Sequence, residues 1–261
     1  MFFDAVARDY DQTFSAMPLA QLHRARTRAR LAQFRAGMRV LELGCGTGED
    51  AIWLAQRGVN VIATDASPAM LSQTRDKAMR ARVESRIETR ILDLNKLSPL
   101  PPPFQEGRVD AAFSNFGALN CVRDLRPLAR YLAELLKPNA KLILVIMNPV
   151  CLWEIAVHLV RRDARGAFRR LQRGGALAHI GGNPIRVWYP APRAVEKIFA
   201  PHFTRTHLEA IGVLLPPPYL SNFAARRAHW VARLAQIEAK IARLFPFNLL
   251  GDHYLIEFRK E

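Results

Sequence analysis

Cysteine is scarce: Cys45, Cys121 and Cys151 are the 3 in 261 residues. They form no even set and have no metal-ligand spacing, so neither a disulfide framework nor a cysteine-held metal is expected. Each lies in or beside an apolar segment, as reduced thiols do in a cytoplasmic protein. The 7 histidines include no H-x-x-x-H pattern, and no metal is expected. No apolar run approaches the roughly 20 residues that cross a bilayer. Met1 to Asp11 carries acidic residues in place of a signal peptide's apolar stretch, so the expected location is cytoplasmic. Lysine is also sparse, since 31 of the 38 basic residues are arginine, and the net charge is +15. An arginine bias follows genome composition as readily as a nucleic-acid partner, so charge alone selects neither.

Hydrophobic residues make up 50% of the chain, enough for a sizeable core. The most informative stretch is Val40–Asp50, VLELGCGTGED. An apolar run suited to a buried strand ends in glycines at alternate positions, and a helix-compatible segment follows. Glycine there opens backbone angles closed to other residues and lets a ligand approach the main chain. A P-loop requires Gly-Lys-Ser/Thr after Gly48, and the dinucleotide pattern requires glycine where Glu49 stands. Glu42, Asp65 and Asp93 each fall at or near a predicted strand end, where they repel a pyrophosphate and suit a cationic ligand rich in hydroxyls. Asp65 lies about twenty residues past the glycine turn, where open α/β folds place a carboxylate for ribose hydroxyls. Ser67 and Pro68 then start a helix as cap and first residue.

The segment resembles motif I of the class I (Rossmann-like) S-adenosylmethionine-dependent methyltransferases. That resemblance implies S-adenosyl-L-methionine as cofactor and a set of residues to hold it. Gly44, Gly46 and Gly48 would shape the methionine-side turn, and Glu42 would hold the cofactor's polar groups. Asp65 would take the ribose and Asp93 with Leu94 the adenine, with Cys45 and Ala66 in the same turns. Tyr10, of a Tyr10-Asp11 pair in an N-terminal helix, would close over the cofactor. Asn115 opens the segment corresponding to motif IV, Asn115 to Asn120, beside the transferable methyl group. It departs from the Asp/Asn-Pro-Pro-Tyr/Phe form of enzymes that methylate nucleobase or glutamine nitrogens.

Strands are predicted at Met38–Leu43, Val59–Thr64, Arg86–Leu92, Val109–Ser114 and Lys141–Met147, alternating with helices. This pattern predicts an α/β fold with a doubly wound, mostly parallel sheet, and the family resemblance implies a seven-stranded sheet with an antiparallel last strand, Tyr254–Arg259. Residues 1–148 form the cofactor-binding core with two N-terminal helices, Phe2–Asp11 and Leu19–Phe34. The arginines of the second read as a solvated face. Pro99 and Pro101 to Pro103 predict a stiff surface loop, and Lys137-Pro138-Asn139 a turn. Residues 149–190 read as a helical cap inserted after strand five. Residues 191–261 return to the core, with a helical insertion at about 214–250.

The reaction expected is methyl transfer to oxygen or nitrogen of a small acceptor. Trp153, Phe168, Trp188 and Tyr189 in the cap favour an apolar or aromatic molecule. His179, in a loop shaped by Gly181, Gly182 and Pro184, and Tyr189 are the candidate catalytic residues, against a packed structural role for His179. A base is not obligatory, because a sulfonium is intrinsically reactive and alignment supplies acceleration. Two rivals stand beside this reading: an RNA methyltransferase, and a cofactor-binding partner subunit without catalysis. The scattered arginines and the absence of an RNA-binding module point away from nucleic acid. Trp230, Leu234, Ile237, Ile241 and Leu244 form one apolar stripe along a predicted helix, Ser221–Phe245. Burial against the chain's own sheet or cap ranks first for it, ahead of a homodimer contact and a membrane surface.

Overall fold

The computed structural model describes residues 2–97, 108–221 and 226–261. The strands in chain order are β1 (Arg39–Leu43), β2 (Asn60–Asp65), β3 (Ile87–Ile91), β4 (Val109–Ser114), β5 (Leu136–Met147), β6 (Ala176–Ile180), β7 (Asn183–Val187), β8 (Phe203–Ile211) and β9 (His253–Lys260). Seven of them form one sheet in the order β3-β2-β1-β4-β5-β9-β8. Strands β1 to β5 run parallel, and β9 lies antiparallel between β5 and β8. The helices are α1 (Pro18–Leu31), α2 (Glu49–Ala55), α3 (Pro68–Arg80), α4 (Arg126–Leu135), α5 (Leu152–Val160), α6 (Ala164–Ala167), α7 (Pro192–Phe199) and α8 (Ala228–Ile241).

Buried strands with apolar residues at every position must be covered on both faces. In β5, Ile143 and Val145 pack with Leu31, Leu54 and Leu71 of α1 to α3. Leu142 and Leu144 pack oppositely with Leu132 of α4 and Phe199 of α7. The alternation leaves Glu42 buried on the α1 side of the sheet, on the same face as Val40. Ser67 caps α3 by accepting the Met70 N–H at 3.2 Å, with Pro68 in its first turn.

The structure departs from the sequence expectations in five places. The first N-terminal helix is a 3-10 turn at Phe2–Ala5 and a π-helical turn at Asp11–Ser15. Tertiary ties divide it: Asp4 accepts from the Ser67 hydroxyl at 2.5 Å, and Asp11 from the Thr47 hydroxyl at 2.6 Å. The arginines of α1 are not a solvated face. Arg24 and Arg28 pair with buried Asp50, Arg26 with Glu209 and Arg30 with Glu257, fastening α1 to α2 and the sheet. The Lys137-Pro138-Asn139 turn is absorbed into β5 as an irregularity, with Asn139 at φ +64°. The cap is helical only in its first half, because the glycine-rich stretch folds as the β6–β7 hairpin.

The fifth departure is α8. Its apolar stripe does not face the core; Glu238 and Ala242 do. Glu238 accepts the N–H groups of Gly212, Leu214 and Leu215 at 2.8–3.0 Å. Three otherwise unsatisfied donors in the segment after β8 select that face of the helix. Residues 98–107, read as a proline loop, and 222–225, at the predicted start of α8, lie outside the described residues.

Candidate active site

Parallel strands bring their carboxyl ends to one edge of the sheet, and the loops leaving that edge enclose a cavity of about 440 Å³. At the end of β1 the chain turns through Gly44 and Gly46. The Cys45 N–H donates to the Thr64 carbonyl at 2.8 Å and the Gly46 N–H to Asp65 Oδ2 at 2.9 Å. Gly44 has φ +69°, and a Cβ there would lie 2.2 Å from the Ala118 Cβ. Gly46, at φ +55°, has nothing within 4 Å of where a Cβ would sit, so its open side is free for a ligand.

Gly44, Gly46, Asp65, Ala66, Asp93 and Leu94 line this cavity, and Tyr10 stands over the glycine turn with its ring 5.0 Å from Phe14. Glu42, Cys45 and Asn115 line a smaller pocket that shares Tyr10, Gly44 and Gly46 with the first. Gly48 borders neither; it is the left-handed N-cap of α2, packed on Thr74, and shapes the turn from behind. Asp65 accepts Gly46 and Ser67 N–H groups at 2.9 Å, and each oxygen keeps a lone pair for a diol. Burial pushes its carboxyl up, and the backbone donors partly offset this.

These residues fit S-adenosyl-L-methionine. Glu42 Oε2 and Asn115 Oδ1 are buried without a hydrogen-bond partner at the small pocket. Burial and the nearby Asp50 push the Glu42 carboxyl well above its ordinary range. An ammonium group donating into this pocket would satisfy both oxygens and return Glu42 to its charged form.

The cap closes the far side. Buried Asn120, in the loop after β4, accepts the Met147 N–H at 2.8 Å and donates to the Trp188 carbonyl at 2.7 Å. This pins β7 over the cavity and turns Tyr189 into its wall, where Arg170 lies 5.2 Å from the ring. Burial raises the Tyr189 hydroxyl, making it a poor base near neutrality. His179 does not line this cavity. Strand alternation directs Ala178 and Ile180 to the cavity and leaves His179 exposed on the outer face of the hairpin.

Sequence reasoning missed Asp252 and His253. Because β9 is antiparallel, its first residue pairs with Met147, the last of β5, and so reaches the functional edge. His253 lines the cavity with its ring 5.3 Å from Phe116 of the motif IV segment, and its Nδ1 lies 3.1 Å from Asp252 Oδ2. Arg170, from the cap, donates to Asp252 Oδ1 at 2.7 Å and to Glu154 Oε2 at 2.6 Å. Burial pushes the Asp252 carboxyl up, but the His253 and Arg170 side chains beside it override this and hold it well below the usual carboxylate range. His23 of α1 stands behind the pair, its own pKa lowered by burial to about 4, so it is neutral. His23, Asp252 and His253 form the one three-ligand cluster found among the described residues. Arg170 already holds the Asp252 carboxylate, and its fixed cation opposes a metal ion there. The remaining signal in the sequence was a His at the start of an antiparallel strand seven.

Comparison with known proteins agrees with this geometry. Residues 40–139 match the model of a methyltransferase domain. The chain is 33% identical over 144 residues to a demethylmenaquinone methyltransferase of Clavibacter sepedonicus, covering 54% of this chain and 55% of that one. It is 32% identical over 152 residues to a 2-phytyl-1,4-naphtoquinone methyltransferase of Synechococcus elongatus, covering 56% and 62%. The matches thus span little more than half of those relatives. The solved structure of the CcbJ methyltransferase from Streptomyces caelestis superposes with a TM-score of 0.64 at 19% identity, over 99% of this chain and 97% of that one. Its fold extends through the cap and the last strands, beyond the matched domain. Residues 40–139 thus carry the match to a methyltransferase domain, and the strand order and the glycine turn with its acidic strand ends are those of the class I S-adenosylmethionine-dependent methyltransferase fold.

Proposed function

We propose that the chain transfers a methyl group to a hydroxylated aromatic ring of the quinol class, at the ring oxygen or the carbon beside it. The observation that carries this reading is the Asp252–His253 pair, a proton acceptor on the wall of a largely apolar cavity that also holds the cofactor residues. Arg169 and Arg170 share that wall. They disfavour a protonated amine and favour an acceptor that turns anionic, which selects oxygen over nitrogen. The quinone-directed relatives support the same class of ring.

Bound S-adenosylmethionine would supply an electrophilic methyl group and carry away the bonding pair as a neutral thioether. His253 is placed to take the proton of the acceptor hydroxyl and so free an electron pair of the ring for the methyl group, and Asp252 to hold the resulting imidazolium. Where the ring carbon takes the methyl, the proton of that carbon would pass to solvent and restore the aromatic ring. Tyr10, Tyr189 and the cap hairpin exclude water from the ring.

Incubation with cofactor and an acceptor panel tests the reading: a reduced naphthoquinone without its ring methyl, a catechol, an aryl amine and bulk RNA. Gain of one methyl mass on the phenolic acceptors is expected. Methylation of the amine or RNA alone, or cofactor binding with no transfer at all, would overturn it. A second expectation concerns Asp65→Ala. Loss of a hydrogen-bonding partner of this kind costs about 1.5–3 kcal/mol, so calorimetry should show cofactor and its demethylated product both weakened about 10- to 150-fold. Wild-type affinity in a folded Asp65→Ala would remove Asp65 from the cofactor site.

A further inference from the structure

The stripe on α8 has no cover among the described residues. On the helix Trp230 is 61% exposed and Ile237 49%, and just beyond its end Leu244 is 55% and Phe245 76% exposed, while Leu234 and Ile241 are half-buried. Exposed Arg233 and Lys240 each follow an apolar residue of this row by three positions, about 60° round the helix. The Arg233 guanidinium lies 5.9 Å from the Trp230 ring. Across 226–245 the single acidic residue is Glu238, which is buried and committed to backbone donors. A row of large apolar side chains flanked by a row of cations, with no exposed acid, is the surface of a helix lying in a bilayer interface.

We infer that this face docks the protein on an anionic phospholipid surface. A second copy of the chain fits it less well. A two-fold contact would set the Arg233–Lys240 row near its own copy, in a chain whose net charge is already +15. An anionic bilayer complements both rows at once, with the apolar row at the acyl boundary and the cations among headgroups. The insertion that carries α8 also contributes Pro217 and Pro218 to the cavity wall, so docking places the site's own wall segment at the lipid surface. The surface rests on its own geometry and not on the identity of the methyl acceptor.

Sedimentation with vesicles of phosphatidylcholine alone or mixed with phosphatidylglycerol tests this without turnover. Binding to the mixed vesicles is expected, weakening as salt rises and absent from phosphatidylcholine alone. Ile237→Asp with Leu244→Asp should lower that binding at least about tenfold, with the melting temperature unchanged because both positions are exposed. Arg233→Glu with Lys240→Glu should do the same. Three results would overturn the inference: no binding at low salt, binding indifferent to both double variants, or a concentration-dependent dimer in ultracentrifugation that Ile237→Asp with Leu244→Asp abolishes. The last would assign the face to a second copy.

Discussion

His253→Gln is expected to lower kcat with a phenolic acceptor by about 10²- to 10⁴-fold, the range lost with a positioned general base. Cofactor affinity should stay within about twofold of wild type, because Gly44, Gly46, Asp65, Ala66, Asp93 and Leu94 arise at the ends of β1, β2 and β3, whereas His253 opens β9. Glutamine keeps a hydrogen-bonding side chain against Asp252 but cannot carry the proton. A fluorinated phenol, already ionised near neutrality, should recover much of the lost rate. Equal losses on ordinary and pre-ionised acceptors would show that His253 acts by packing alone.

Arg170→Met carries the largest expected effect on stability. The guanidinium sits between Glu154 of α5 and Asp252 at the entry to β9, and also donates to the Asn148 and Asp252 carbonyls at 3.1 and 3.0 Å. Its removal leaves buried carboxylates partly uncompensated, which costs about 3–5 kcal/mol. Glu154 retains Arg169 and Asp252 retains His253, so the lower end of that range is expected. For a chain of this size that is roughly 6–12 °C in melting temperature. Arg126→Ala, on an exposed pair with Asp124, is the contrasting control and should change nothing measurable.

The same network sets an acid dependence. Burial pushes Glu154 up, but the Arg169 hydrogen bond and Arg170 charge lower it overall, and Asp252 is held well below its ordinary range. Carboxyls depressed in the folded state add stability that is fully present above the unfolded value of about 4. That stability is lost as pH falls toward the folded values. Wild type should lose melting temperature on acidification below about pH 4 more steeply than Arg170→Met, in which most of the contribution is already gone. Parallel acid profiles would mean that Arg170 does not hold these carboxyls down.

The strand and helix alternation, the glycine turn and Asp65 were legible in the chain because each rests on local chemistry. Apolar runs of strand length, glycines where φ must be positive, and a Ser-Pro start of α3 act over a few residues and need no partner. Boundaries followed within one or two residues for β1 to β4. What the sequence concealed depended on partners far along the chain. His179 reads as catalytic from its glycine-rich surroundings, yet strand alternation in the hairpin turns it outward. His253 falls in no motif and just ahead of the predicted strand Tyr254–Arg259, yet the antiparallel course of β9 carries it to the edge where parallel strands end. The arginines of α1 read as solvated until Asp50, Glu209 and Glu257 meet them. The α8 stripe reads as core until Glu238, drawn by three unsatisfied N–H groups, rotates it to the surface. Local periodicity determined by itself which segments are helix and strand and where the cofactor turn lies. Long-range pairing alone decided which side of each element faces the cavity, because that choice is made by donors, acceptors and charges up to 227 positions apart.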